Sequence, residues 1–385
     1  MTKQTMIPVA RPWMDEREAA AARRAILSGW VTQGPEVAAF EREFAEAVGA
    51  PHACAVSSCT TALHVALVAL GVRRGDEVVT VSHSFIATAN TITYCGAMPV
   101  FVDVALDTFN IDPAEVEAAL SPATRAILVV HQLGMPCDLG AILAIAGRHG
   151  IPVIEDAACA IGSEIRIDGA WERIGRPRAD IACVSFHPRK LLSTGDGGML
   201  TTRDAGLDAQ FRLLRQHGMS VPDAVRHGSS SVIFEDYPVV GYNYRLTDIQ
   251  AAIGREQLTR LPAIVARRRA LAARYTERLA GVPTVIVPTE PAFARSNWQS
   301  YAVRLTGHDQ RLVMQRMLDA GVSTRRAAMN VHRQAAYPPG TWRAAGPLSR
   351  GEQVQDTAVV LPLFHQLTED DQDRVIAALQ AATGA

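Results

Sequence analysis

The stretch AILVVHQLGMPCDLGAILAIAGRHGIPVIED, residues 126–156, sets the fold. Two short apolar runs, AILVV (126–130) and IPVIED (151–156), enclose a helical segment, DLGAILAIAGRHG (138–150). Short apolar runs without polar alternation suit strands buried on both faces. A strand, a helix and a second strand in that order make a parallel pair with a covering crossover. The same rhythm extends outward in both directions. ACAVS (53–57), DEVVTV (76–81) and MPVFVDV (98–104) precede it, and DIACVSF (180–186) and GMLTT (198–202) follow. TTALHVALVAL (60–70) and IATANTITYCG (86–96) read as helices between strands. The expectation is an α/β fold with a mostly parallel central sheet covered by helices on both faces.

Beyond residue 203 the pattern changes. HGMSVPDAVRHGSSS (217–231) is polar and reads as a loop. A long helical region runs from Thr247 to Leu279, interrupted by Leu261-Pro262. Strands are expected near TVIVP (284–288) and SYAVRL (300–305), and helices over about 308–320 and 368–382. Thr368 ahead of Glu369-Asp370-Asp371 is a start signal, because acids suit the positive end of a helix. The expected organisation is a large domain over 1–262 and a smaller C-terminal α/β domain over 263–385.

Composition narrows the function. The chain has 385 residues, 48% hydrophobic and 20% charged, enough apolar material to exclude wholesale disorder. Lys+Arg is 38 against Asp+Glu 39, so no global positive field exists for nucleic acid or an anionic membrane. The start, MTKQTMIPVARPWMDE, lacks the apolar region of a secretory signal, and no apolar run reaches the ~18 residues of a spanning helix. A soluble, cytoplasmic protein is expected. Cys54, Cys59, Cys95, Cys137, Cys159 and Cys183 form no C-x-x-C, and no His pair has zinc-ligand spacing. Free thiols and no metal site are expected.

In open α/β sheets, ligands bind beyond the carboxyl ends of the strands. Four places there carry polar residues. Ser57-Ser58-Cys59-Thr60-Thr61 opens a helix, where hydroxyls and free N–H groups suit a phosphate or serve as a plain cap. Glu155-Asp156 ends a strand, either as a turn acid or as a buried carboxylate for a cationic ring nitrogen. Ser185-Phe186-His187-Pro188-Arg189-Lys190 runs into the glycine-rich Ser193-Thr194-Gly195-Asp196-Gly197-Gly198. Its lysine is either a solvated surface residue or an amine held for imine chemistry, with Arg189 favouring its deprotonation. His187 reads as a structural imidazole. Gly241-Tyr242-Asn243-Tyr244-Arg245-Leu246-Thr247-Asp248 precedes the long helix, where Asn243 also suits an Asx turn. Taken together, a phosphate cradle, an acid for a ring nitrogen and an amine for an imine are what pyridoxal 5'-phosphate (PLP) requires.

With these residues in view, the sequence resembles the DegT/DnrJ/EryC1/StrS aminotransferases, fold-type I PLP enzymes that aminate keto sugars and cyclitols. The likeness runs through GWVTQGPEVAAFEREFAEAVGA (29–50), SSCTTALHVAL (57–67), SHSFIATAN (82–90), PVFVDV (99–104) and VHQLGMPCD (130–138). It continues in IEDAACAIGS (154–163), SFHPRKLLSTGDGGML (185–200), GYNYRLTDIQAAIG (241–254) and LPLFHQLTEDDQ (361–372).

The resemblance implies that Lys190 is the Schiff-base lysine and later the proton shuttle. It implies Asp156 against the pyridine nitrogen, Phe85 stacked on the ring, and Thr60, Thr61 and Ser185 at the phosphate. Asn243 matches a residue that completes the partner subunit's site, so a homodimer with shared sites is implied. Trp30, Thr32, Gln33 and Tyr242, with Arg325, Arg326 and His332, fall at substrate-side positions. Cys159 stands where the family usually has Gln or His near the cofactor's 3-oxygen, and a thiol is a weaker donor. Cys59 replaces a frequent Gly, and Asp196 a common Glu. The implied reaction is ping-pong transfer of an amino group from L-glutamate or L-glutamine to a nucleotide-linked keto sugar. A cyclitol or another small ketone is an alternative acceptor. A PLP-dependent dehydratase is disfavoured, because that branch replaces the lysine with histidine. A non-catalytic PLP-binding regulator is disfavoured by the intact Lys190–Asp156–Ser185 set, and no helix-turn-helix module is evident.

Overall fold

The apolar runs become the strands of one large sheet, seen in a computed structural model that describes residues 6–221, 226 and 229–384. They are β1 (His52–Val56), β2 (Glu77–Val81), β3 (Met98–Val102), β4 (Thr124–Val130), β5 (Val153–Asp156), β6 (Ile181–Ser185) and β7 (Gly198–Thr202). The order across the sheet is β1-β7-β6-β5-β4-β2-β3, with Arg343–Ala344 added in parallel to β3 at the far edge. Neighbours are parallel except for β7, which is antiparallel to both β6 and β1. β5 and β6 are buried at every residue, which is why their sequences do not alternate.

Helices cover this sheet. In chain order they are α1 (Glu16–Leu27), α2 (Pro35–Val48), α3 (Cys59–Ala69), α4 (Ala87–Tyr94), α5 (Pro113–Ala119), α6 (Leu139–His149), α7 (Ala205–Leu214) and α8 (Asp248–Leu279). The helix of the opening stretch, α6, starts on an Asp138 cap and ends at Gly150, whose φ of 64° suits glycine. Since β1, β2, β4, β5 and β6 all point the same way, their carboxyl ends share one edge. Ser57-Ser58, Ser82–Phe85, His131-Gln132, Asp156 and Ser185-Phe186 therefore emerge together.

Helix α8 corrects the expected interruption, because it runs unbroken for 32 residues with Pro262 inside. A proline there forfeits one backbone hydrogen bond and costs ~3 kcal/mol. Packing on both sides keeps the helix continuous through it. Before the proline, Gln257 Nε2 donates to Glu18 and to the Trp13 carbonyl, and Arg260 bonds Glu18 and Asp15. After it, Ile264, Val265 and Leu271 are buried.

A second, four-stranded sheet follows in the order Val285–Ile286, Tyr301–Leu305, Ala358–Leu361, Arg325–Arg326. Its helices are Gln310–Asp319, Ser349–Thr357 and Glu369–Thr383, the last capped by Thr368 as its sequence signalled. The 262/263 boundary falls inside α8. Ile264 and Val265 still belong to the core under the large sheet, whereas Leu271, Tyr275 and Leu279 join the second core with Val303, Leu361 and Leu379. Ile7, near the start of the chain, also packs in that second core. Of the polar stretch 217–231, residues 222–225 and 227–228 lie outside the described residues.

Candidate active site

A cavity of about 400 Å³ opens at the shared strand edge, within the ~300–1,000 Å³ usual for ligand clefts. Ser58, Cys59 and Thr60 form one wall, Phe85 and Thr88 another, and Asp156, Cys159, Ser185 and Lys190 the floor and side. Gln299, Arg325 and Arg326 reach it from the second half of the chain.

The first wall is the start of α3. Ser58 caps it and Thr61 closes a capping box, leaving the N–H groups of Cys59 and Thr60 without intrahelical acceptors at the positive helix end. Gly198 lets β7 lie against this turn, since a Cβ there would stand 2.4 Å from the Ser58 carbonyl oxygen. Thr61 corrects one expectation. Its hydroxyl donates to the Ser58 carbonyl at 2.7 Å and accepts the Ser58 N–H at 3.0 Å, and it does not line the cavity. Ser58 and Cys59 stand there instead.

Strand alternation separates the two acids of β5. Glu155 turns into the core, 3.0 Å from His131 Nε2. The Cys137 N–H donates to His131 Nδ1 at 3.1 Å, which leaves Nε2 to carry the proton toward Glu155. Asp156 faces the cavity and is buried. Its Oδ2 accepts from the Thr88 hydroxyl at 2.9 Å and its Oδ1 from the Ala158 N–H at 3.2 Å. Burial pushes its carboxyl above the usual range despite both donors and nearby Lys190. An ionised group placed there is best served by a cation beside it.

Lys190 is half-buried, not a solvated surface lysine. Its Nζ donates to Cys159 Sγ at 2.9 Å, inside the same cavity as Asp156. Its segment is clamped from the second half of the chain. Gln299 Nε2 donates to the Arg189 carbonyl at 3.0 Å, and Asn297 Nδ2 donates to the carbonyls of Cys159 and Ile161. Between them Trp298 adopts φ 52°, a region unfavourable for a bulky side chain. Arg268 Nη1 holds that turn by donating to the carbonyls of Trp298 and Gln299. His187 accepts the Arg189 N–H, and burial with the Arg189 charge pushes its imidazole down. That agrees with a neutral structural ring.

The remaining expected residues lie elsewhere in the single chain. Trp30, Thr32 and Gln33 belong to the turn before α2, which Asp248 pins through the N–H groups of Gly34 and Val37. Tyr242 stacks on Tyr244 at 4.9 Å, and Asn243 is exposed. His332, expected at the substrate side, is a brace: one nitrogen is 2.7 Å from Ser82 Oγ and the other 3.0 Å from Glu352. Thr88, Gln132, Gln299 and Arg189 join the site without having been singled out as site residues. Thr88 follows Phe85 by three residues, one helical turn, which is the only local signal for it.

A wider, shallower groove of about 760 Å³ lies between α8 and residues 288–298, among Arg269, Glu277, Glu290 and Arg295. Its two arginines pair with Glu164, and no Lys, Cys, Ser or His lines it. Among the described residues all six cysteines are free and no cluster of three His, Cys, Asp or Glu is placed to hold a metal. No described helix is long and apolar enough to cross a membrane.

The site residues fit PLP: a helix start for the phosphate, a buried acid for the ring nitrogen and an amine within one cavity. Comparison with known proteins agrees. A sequence profile of the DegT/DnrJ/EryC1/StrS aminotransferase family matches residues 12–380. The spore coat polysaccharide biosynthesis protein SpsC of Bacillus subtilis is 36% identical over 379 residues, 97% of this chain and 96% of that one. The aminotransferase TlmJ from Streptoalloteichus hindustanus superposes with a TM-score of 0.90 at 35% identity, covering 98% of this chain and 99% of that one. DesV of S. venezuelae, solved in complex with a ketimine intermediate, gives 0.88 at 33% identity with the same coverage.

Proposed function

Since the chain belongs to the DegT/DnrJ/EryC1/StrS aminotransferase family and is a PLP-dependent aminotransferase, we propose that it moves an amino group from L-glutamate or L-glutamine to the keto group of a nucleotide-linked sugar. The observation that carries the reading is the meeting of Lys190, Asp156 and the start of α3 in one cavity. When bound, PLP supplies an electron sink that lets an amine leave one carbon and enter another.

The chain's own residues do the rest. Lys190 Nζ would hold the cofactor and, as a free amine, would take a proton from one carbon and return it to another. Asp156 keeps the ring nitrogen cationic, and Thr88 and Ala158 fix the carboxylate's direction. Ser58, Cys59, Thr60 and Ser185 hold the phosphate, and Phe85 packs on the ring. Phe85 is 59% exposed in the single chain and Asn243 is exposed too. Both are expected against a second copy, in a homodimer where Asn243 completes the partner's phosphate site. Trp30, Thr32, Gln33 and Tyr242 are assigned to the substrate side of that interface. A sugar acceptor is supported by the relative named for polysaccharide biosynthesis.

Borohydride treatment of the yellow holoenzyme is expected to fix the cofactor on Lys190, read by peptide mass. Lys190→Ala is expected to lose at least 10³-fold in both half-reactions. Glutamate and glutamine should be screened against nucleotide-linked keto sugars and cyclitol ketones, following keto-acid release. Turnover of cyclitol ketones alone overturns the sugar assignment.

A further inference from the structure

Lysine is scarce in this chain: of 38 basic residues only Lys3 and Lys190 are lysines. Lys190 Nζ stands 2.9 Å from Cys159 Sγ. Among the described residues that thiol is its only hydrogen-bond partner, and no carboxylate pairs with it. Of the five other cysteines four are buried, and one of these, Cys59, donates its S–H to the Cys183 carbonyl. Cys159 is half-buried and lines the main cavity together with Lys190, where small solutes reach both. One turn holds both backbones. Asn297 Nδ2 fixes the Cys159 carbonyl, and Gln299 Nε2 fixes the Arg189 carbonyl next to Lys190. The stems of the two side chains are thereby kept at a set separation.

We infer that Cys159 and Lys190 form an oxidative cross-link, Sγ–O–Nζ, when the cofactor-free protein meets hydrogen peroxide. The first peroxide oxidises the thiol. Its O–O bond and the S–H bond break, an S–O bond forms, and water leaves behind a sulfenic acid. The second peroxide takes two further electrons. An Nζ–O bond forms to the sulfenic oxygen, the sulfenic O–H and one N–H break, and two waters leave. Two equivalents of dithiothreitol return the four electrons and release the thiol, the amine and water. Distance selects the oxygen bridge over a direct S–N bond. Even the S–S bond of a disulfide is only ~2.05 Å, so a direct bond would require Sγ and Nζ to close far in from 2.9 Å. A single oxygen spans the gap with little movement. An amine bonded in this way cannot condense with an aldehyde, so Lys190 can carry the cofactor or the cross-link, not both. That consequence rests on the reading of Lys190 as the cofactor lysine, whereas the cross-link itself does not.

The test is peptide mass spectrometry of the full chain, stripped of cofactor and exposed to hydrogen peroxide, with PLP uptake followed by absorbance. The peptides carrying Cys159 and Lys190 are expected as one linked species, about 14 Da heavier than their sum, which dithiothreitol returns to separate peptides. PLP uptake is expected to be mostly lost and then to recover. Holoenzyme is expected to resist both changes. In Cys159→Ser no link forms, and peroxide no longer reduces the PLP uptake that the variant has. In Lys190→Ala, Cys159 is expected to proceed to sulfinic and sulfonic acid, because no amine intercepts the sulfenic acid. Thermal unfolding verifies that each variant is folded. Cys159 oxidised beside a free Lys190, or a linked species about 2 Da lighter that marks a direct S–N bond, overturns the bridge. Uptake lost to the same extent in Cys159→Ser overturns its consequence. Because mass alone reads the link, a chain that does not transaminate leaves the result standing. A missing link leaves the borohydride assignment of Lys190 untouched.

Discussion

Asp156 shows the site working against the fold. Its carboxyl is pushed up by burial, so the folded protein without cofactor resists ionising it. A raised carboxyl contributes most below its unfolded value and loses that contribution as pH rises through the folded one. At neutral pH the cofactor-free protein therefore carries a penalty that asparagine removes. Asp156→Asn is expected to abolish transamination while raising the Tm of the cofactor-free protein by ~2 °C at pH 7. The advantage disappears in acid, where the native carboxyl is protonated; unfolding scans across pH read this directly.

Residues at strand ends were legible for this reason: Asp156, Ser185 and Lys190 sit where a parallel sheet delivers them. Thr61 was not, because a hydroxyl four residues past Ser57 suits a phosphate as well as it suits a cap. The Ser58-x-x-Thr61 spacing was the overlooked sign of a capping box. The brace at His332 was not legible, because its two partners, Ser82 and Glu352, stand 250 and 20 residues away in the chain.

At the scale of elements, two helices carry expectations of their own. Glu41 of α2 is buried between Arg215 and Arg212 of the α7 region, and it also accepts the Ala55 N–H of β1 at 2.9 Å. Burial opposes its charge, but the two arginines prevail and hold the carboxyl below its usual range. Its stabilisation is present above the ordinary carboxylate value and lost as pH falls through the lowered one. Glu41→Gln is expected to cost ~3 kcal/mol in denaturant unfolding at pH 7, by leaving the buried Arg215 guanidinium without a carboxylate, while half-buried Arg212 keeps Asp208. The loss should shrink in acid.

Helix α8 gives the opposite sign. Pro262→Ala restores a backbone donor at a position already helical, against a smaller loss from a freer unfolded chain. A gain of ~1–2 kcal/mol in the same assay is expected. The continuity of α8 could not be read locally, because a proline inside a helical pattern ordinarily ends it. What carries the helix across is packing by Trp13, Glu18 and Ile264, which sequence spacing does not reveal.

For the whole molecule, the large sheet was readable because apolar runs buried on both faces leave no other home. The 262/263 division was placed at the proline, whereas the change of core lies about two turns later and Ile7 crosses to the far side. The exposed surface adds a further expectation. Phe234 is 92% exposed and Val240 86%, with Tyr94 and Phe85 also open to solvent. Phe234 and Val240 are expected to be covered by a second copy of the chain. Sedimentation is expected to show a dimer. Mixing inactive Lys190→Ala with inactive Asn243→Ala should restore part of the activity, since one heterodimer site keeps both residues. No recovery after verified subunit exchange counts against shared sites.

One rod of 32 residues, ~48 Å long, serves both cores. Severing the gene at codon 262 would leave each fragment with a sticky, half-covered flank, so neither should be soluble when expressed by itself. Chimaeras that exchange the C-terminal portion between homologues inherit the same rule: the graft has to bring its own shaft, or the splice must fall beyond it.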